Sequence, residues 1–152
     1  MRVIVKTIEH NSRSDVFRIV PLSDVHWGAR ACDEALFRKT VKTIKDTNAF
    51  WVGLGDFNEC ITRRDKRHQE DVLAPWLWGH GPVLSLQQES LIEEIKPIGA
   101  QCLAYVKGNH ELAVEEDGTD MYLSVIKAIR ATEATDLHMG MSGFLVLKFR
   151  RT

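Results

Sequence analysis

The chain reads as an α/β domain built on a mostly parallel sheet with helices on both faces. Three observations predict this. Short apolar runs of strand length alternate with stretches of helical periodicity, the pattern of βαβ units. Three of those runs stop abruptly in polar loops: Ile19-Val20-Pro21-Leu22 before Ser23-Asp24-Val25-His26, Phe50-Trp51-Val52-Gly53-Leu54 before Gly55-Asp56-Phe57-Asn58-Glu59, and Cys102-Leu103-Ala104-Tyr105-Val106 before Lys107-Gly108-Asn109-His110-Glu111. The length, 152 residues, suits one domain, residues 1–152, with room for a real core.

In chain order, Val3 to Ile8 reads as a first strand and Asn11 to Asp15 as a turn. Val16 to Leu22 reads as a second strand, with Pro21, which cannot donate to a ladder, near its end. The short N-terminal strands are expected to add an antiparallel edge. Asp33 can cap a helix running to about Asp46, with Phe37, Val41 and Ile44 on one apolar face. Phe50 to Leu54 is the central strand. From Cys60 to Leu84 the pattern is irregular, carrying the basic cluster Arg63-Arg64-Asp65-Lys66-Arg67-His68 and then Trp76-Leu77-Trp78-Gly79-His80-Gly81-Pro82. A long excursion between two site-bearing strands is the usual form of a functional loop or lid. Trp76 and Trp78 are expected to pack against the domain.

Ser85-Leu86-Gln87-Gln88 has the form of a capping box, opening a helix with Leu91, Ile92 and Ile95 on one face and stopping near Pro97-Ile98-Gly99. Thr119 can cap a later helix whose apolar stripe is Tyr122, Val125, Ile126 and Ile129, and Gly143 to Phe149 is a last strand. His138 reads as an ordinary surface histidine at a strand entry.

A formal net charge of −1 gives no global electrostatic case for binding nucleic acid or membrane. Cys32, Cys60 and Cys102 are scattered and odd in number, which argues against a disulfide framework or a zinc knuckle. The first residues lack the apolar core of a signal peptide, and no apolar run spans a membrane. A cytoplasmic protein is the expectation.

The chemistry-bearing residues converge if the sheet is parallel, because its strand ends then share one edge. Asp24, His26, Asp56, Asn109 and His110 at that edge have the composition of a metal site. The Asp56 carboxylate has two oxygens, so it can bridge two divalent cations and offset their repulsion. Asn109 offers a neutral oxygen ligand. His110, beside such a centre, is a natural proton donor, and the Glu59 carboxylate is placed to orient it.

Asp24-Val25-His26-Trp27-Gly28, Gly55-Asp56-Phe57-Asn58-Glu59 and Gly108-Asn109-His110-Glu111 together resemble, in order and setting, the first three motifs of the calcineurin-like metallophosphoesterases. The resemblance implies half of a four-layer α/β/β/α sandwich. It also implies a two-metal centre, manganese first with iron or zinc as alternatives, that activates water for in-line attack on phosphorus. Asp24 and His26 would hold the first metal, Asp56 would bridge, and Asn109 would bind the second metal and face the phosphate. His110 would be the catalytic histidine, assisting the leaving group, with Glu59 as its carboxylate partner.

The family's phosphoprotein phosphatases carry an Asp-Arg pair after the second motif, where this chain has Glu59 and Cys60. Arg63 and Arg64 stand as substrate-binding candidates in place of that arginine. The family's last motifs, a lone His and a Gly-His-x-His segment, have no counterpart; Gly79-His80-Gly81-Pro82 lacks the second His and falls out of order. The resemblance therefore covers the first half of the family domain, and the second metal position is expected to be weakly held.

Two functions follow as expectations. One is phosphoester hydrolysis, on nucleic acid for preference, as a nuclease or phosphodiesterase of the bacterial or phage kind. The other is a truncated or degenerate domain without catalysis of its own, acting as a binding module or a subunit. In either case the bare edge of a half-sheet is expected to invite self-association or the missing C-terminal half.

Overall fold

In the computed structural model, which describes residues 1–62, 65, 68, 71–115, 118, 120–130 and 136–152, four strands form the main sheet in the order of the chain. They are β2 (Ile19–Leu22), β3 (Phe50–Gly53), β4 (Cys102–Val106) and β5 (His138–Gly140), all parallel. A separate pair, β1 (Arg2–His10) and β6 (Gly143–Arg151), is also parallel. The expected antiparallel edge is therefore not what the N-terminal strand makes: β1 pairs along its whole length with β6, from Arg2 opposite Gly143 to His10 opposite Arg151. Pro21 lies within β2, where its missing N–H is tolerated because β2 is an edge strand.

The connections explain the layers. The α-helices are α1 (Glu34–Thr47), α2 (Val83–Ile95), α3 (Asn109–Glu115) and α4 (Met121–Ile129), with 3₁₀ turns at Pro75–Leu77 and Lys96–Gln101. Each new strand of the main sheet is added on the same side of the last. Right-handed crossovers in such a series put every crossover helix on one face. The main core fits this: Phe37, Val41 and Ile44 of α1, Leu91 and Ile95 of α2, and Tyr122, Val125, Ile126 and Ile129 of α4 join Leu22, Trp51 and Tyr105 of the sheet. On the opposite face Val52, Ala104, Val106 and Met139 meet Ile4 and Leu145 of the β1–β6 pair. Helices cover one face and a second sheet the other, which corrects the expectation of helices on both.

Local signals act much as their chemistry dictates. The Asp33 carboxylate caps α1 by accepting from Leu36 N at 2.9 Å. The Thr119 cap lies outside the described residues, and Asp120 caps α4 by accepting from Leu123 N at 2.8 Å. Helix α2 starts at Val83 behind Pro82 with no side-chain cap, so the expected Ser85–Gln88 box does not form, and Gln87 turns into the core instead. The Tyr122 hydroxyl donates to Tyr105 O and accepts from Met139 N and Gly140 N, tying α4 to β4 and β5. No helix among the described residues is long and apolar enough to cross a membrane.

Candidate metal centre

Because β2, β3 and β4 run parallel, the loops that follow them start at one edge. Their backbones go on pairing after the strands end. Leu54 N donates to Leu22 O, Asp24 N to Gly55 O, His26 N to Asp56 O at 3.0 Å and Trp27 N to Phe57 O at 2.7 Å, while Glu59 N returns to Trp27 O at 3.1 Å. The third loop joins through side chains. His110 N donates to Asp56 Oδ1 at 2.9 Å. The buried Glu111 carboxylate accepts from Phe57 N (2.8 Å) and Asn58 N (3.0 Å) on one oxygen, and from Asp56 N and Gly108 N (3.1 Å each) on the other.

Glycine makes the approach possible at Gly108, where a Cβ would fall 2.2 Å from both the N and the Oδ1 of Asp56. From the helix side, Gln87 Oε1 accepts from Cys60 N at 3.1 Å, and its side chain fills the space over Gly28.

These loops also hold unusual backbone. Asp24, His26, Asp56 and Cys60 have φ between 50° and 56°, the left-handed region that side chains avoid. Among the described residues the other non-glycine case is Asn48, the ordinary left-handed cap of α1. Strain of this kind costs about 1–3 kcal/mol per residue and persists where surrounding structure over-determines it, as at ligand and catalytic sites. Here the over-determination is visible in the Glu111 and Gln87 hydrogen bonds.

Glu59 keys both imidazoles. Its carboxylate oxygen accepts from His26 Nδ1 at 2.7 Å, and its backbone carbonyl accepts from His110 Nδ1 at 2.5 Å. In each ring Nδ1 is thereby the protonated donor, which leaves Nε2 to act as ligand or proton carrier. The rings stand edge to face with centroids 4.5 Å apart. One ligand atom from each of His26, Glu59 and His110 lies within 4.8 Å of the others, so the group can hold a metal ion. Two imidazoles and a carboxylate form a mixed nitrogen and oxygen set, which suits zinc, manganese or iron.

The structure thus brings together most of the residues expected from sequence. Asp24 Oδ1 lies 4.0 Å from His26 Nε2 on the exposed rim. Asp56 is half-buried and commits one oxygen to His110 N, and Asn109 is exposed at the first residue of α3. The Glu59 carboxylate, expected to orient His110, sits 4.0 Å from that Nδ1 and bonds His26 instead. Arg63 and Arg64 lie outside the described residues. Sequence reasoning missed Glu111 and Gln87. Both brace the site through backbone N–H groups, which no residue pattern advertises.

A cavity of about 460 Å³ is lined by two members of the group, His26 and Glu59, and also by Asp24, Arg30, Cys32 and Asp71. Arg30 is pinned there because its N donates to Val72 O at 2.7 Å, next to an antiparallel bridge between Ala29 and Leu73. Burial first, then the Glu34 and Asp33 carboxylates, push the Cys32 thiol up to about 11, so it is protonated at neutral pH and no nucleophile. No family model matches the chain, and neither a curated protein nor a solved structure is significantly similar to it.

Proposed function

We propose that the chain is a metal-dependent phosphoester hydrolase. The observation that carries the reading is Glu59 fixing two imidazoles from different loops, His26 and His110, in the same tautomer at a strained strand-end crossing. A divalent cation held there supplies Lewis acidity toward phosphoryl oxygens and lowers the pKa of water toward neutrality. His26 and Glu59, with Asp24 at the rim, are the residues to hold it. Asp56 and Asn109 would hold a second cation, the weaker of the two. Manganese is the first choice, with iron or zinc fitting the same donors.

The chain's own residues then do three things. Asn109, exposed at the start of α3, hydrogen-bonds a non-bridging phosphoryl oxygen. His110, with Nδ1 committed to the Glu59 carbonyl, carries a proton on Nε2 and delivers it to the leaving oxygen as the P–O bond to that group breaks. Water forms the new P–O bond and releases its proton to solvent.

A second reading has its own support. Among the described residues the metal-competent group of His, Cys, Asp and Glu is one three-residue cluster, which favours a single cation and a binding role. Elemental analysis after manganese loading separates the two, run beside hydrolysis of a phosphodiester and a phosphomonoester. Two cations per chain, with turnover reduced about 10- to 100-fold or more by Glu59→Gln and abolished by Asp56→Asn, is the expected outcome. One cation without turnover selects the binding module. A folded chain that takes up no cation rejects both.

A further inference from the structure

Beside the metal centre lies a second and larger cavity, of about 1280 Å³, which shares Asp71 with the first. We propose that it is a nucleobase subsite in which Trp78 is the stacking platform, so that the substrate of the neighbouring centre is a nucleotide-bearing phosphodiester. The proposal rests on the phosphoesterase reading only for where the phosphate sits.

Trp78 carries the inference because it differs from the other three tryptophans. Trp27 and Trp51 are fully buried, and Trp76 is half-buried with its indole N–H bonded to Glu34 Oε1 at 2.7 Å. Trp78 also has its indole N–H satisfied, by Leu73 O at 3.1 Å, and its backbone N bonds Pro75 O at 3.1 Å. Yet 49 % of the residue is exposed on the cavity wall. The ring is thus held by its N–H edge, in a residue that is about half exposed. An aromatic face fixed in advance loses little entropy when a planar ring stacks on it.

The rest of the cavity supplies what a base needs around its edge. Ile61 and Leu77 give an apolar floor, and Thr62, His68 and His80 give donors and acceptors. The volume exceeds one base and accommodates a nucleotide. In sequence, four cations fall between Thr62 and His68, the composition that favours a phosphate chain over an uncharged aromatic ligand.

The test is binding, kept apart from catalysis. A labelled six-nucleotide single strand of thymidines and a strand of equal length lacking its bases are titrated by fluorescence anisotropy in metal-free buffer. Both carry the same phosphates, so their ratio isolates the bases. The native chain should bind the base-bearing strand at least about fivefold more tightly. Trp78→Leu, which keeps apolar bulk without a stacking face, should remove that preference, and Trp78→Phe should restore most of it. Equal binding of the two strands by the native chain, or a preference that survives Trp78→Leu, overturns the proposal. Hydrolysis of methyl p-nitrophenyl phosphate with manganese tests the phosphoesterase reading by itself, so that either idea can fail alone.

Discussion

Two regions of this molecule are built on opposite plans. The β1–β6 pair is regular: nine residues on each strand pair in unbroken register, and Ile4 and Ile8 point inward. Its outer face is nonetheless bare, with Val3 and Val5 opposite Phe144 and Val146, all four exposed. Parallel sheets are ordinarily covered on both faces, so this one is half-finished as a packing unit. The strand-end loops have almost no regular structure, and yet Phe57, Asn58, Glu59 and Cys60 are buried, and the loop backbone is strained at Asp24, His26, Asp56 and Cys60. Regularity and determination are thus separate properties. The loops are specified by a few side chains that count backbone donors, while the sheet is specified by its ladder and little else.

The largest effect should come from Glu111→Ala. It leaves four backbone N–H groups, those of Asp56, Phe57, Asn58 and Gly108, without their acceptor. Each unsatisfied buried donor costs about 1–3 kcal/mol. The sum, at least about 4 kcal/mol, rivals the whole stability of a domain of this size. Urea unfolding should show that loss, and Glu111→Gln, which keeps one acceptor oxygen, should lose less. If the loops merely detach, amide exchange at Asp56, Phe57 and Asn58 will rise to solvent rates while β1 and β6 stay protected. A loss below about 1 kcal/mol with protected amides would break the contrast, because the loops would then be held by something other than this carboxylate.

The same contrast explains what could be read from the sequence. Helical faces were legible because periodicity states them directly: Phe37, Val41 and Ile44 are buried as a set, and so are Tyr122, Val125, Ile126 and Ile129. The strand-end carboxylates were legible too, since an apolar run that stops in Asp24 or Asp56 marks both the element and its end. Glu111 was visible as a residue of its loop but not as a brace, because three of its four partners are N–H groups more than fifty positions away, of a kind that nearly every residue possesses. Glu59 does meet His110, as expected, but through its carbonyl, while its carboxylate meets His26, for a related reason. Proximity in sequence says nothing about which of two imidazoles a carboxylate will meet across a crossing. The one-sided helices follow from strand order and crossover handedness together, and strand order was not part of the sequence reading. The pairing of β1 with β6 joins the two ends of the described chain, where no local pattern operates.

Gly108→Ala sharpens the comparison at a single atom. The added methyl would overlap Asp56 N and Oδ1 at 2.2 Å and Glu111 Oε2 at 2.6 Å, so the third loop must withdraw from the second. Overpacking of this kind costs about 1–3 kcal/mol, less than the loss of the carboxylate because the donors can still be satisfied after a shift. Geometry at the metal group should suffer more than stability. His110 N would lose Asp56 Oδ1, and the His110 ring would move off the Glu59 carbonyl. Cation uptake measured by equilibrium dialysis should therefore fall about 10- to 100-fold while the melting curve stays cooperative. Unchanged uptake would mean that the three loops tolerate separation.

The smallest effect belongs to the sheet. Val5→Thr combined with Phe144→Thr replaces two exposed side chains on the outer face of the β1–β6 pair, and neither touches the inner cluster of Ile4, Ala104 and Met139. Threonine keeps the branched shape that suits a strand, and surface changes of this sort usually stay within about 0.5 kcal/mol. The urea midpoint should barely move, and solubility at high concentration should rise as the apolar patch shrinks. A destabilisation above about 2 kcal/mol that grows with protein concentration would reverse the interpretation of this face. It would then be a surface buried in a second copy, and its bareness in one chain would be a property of the isolated molecule.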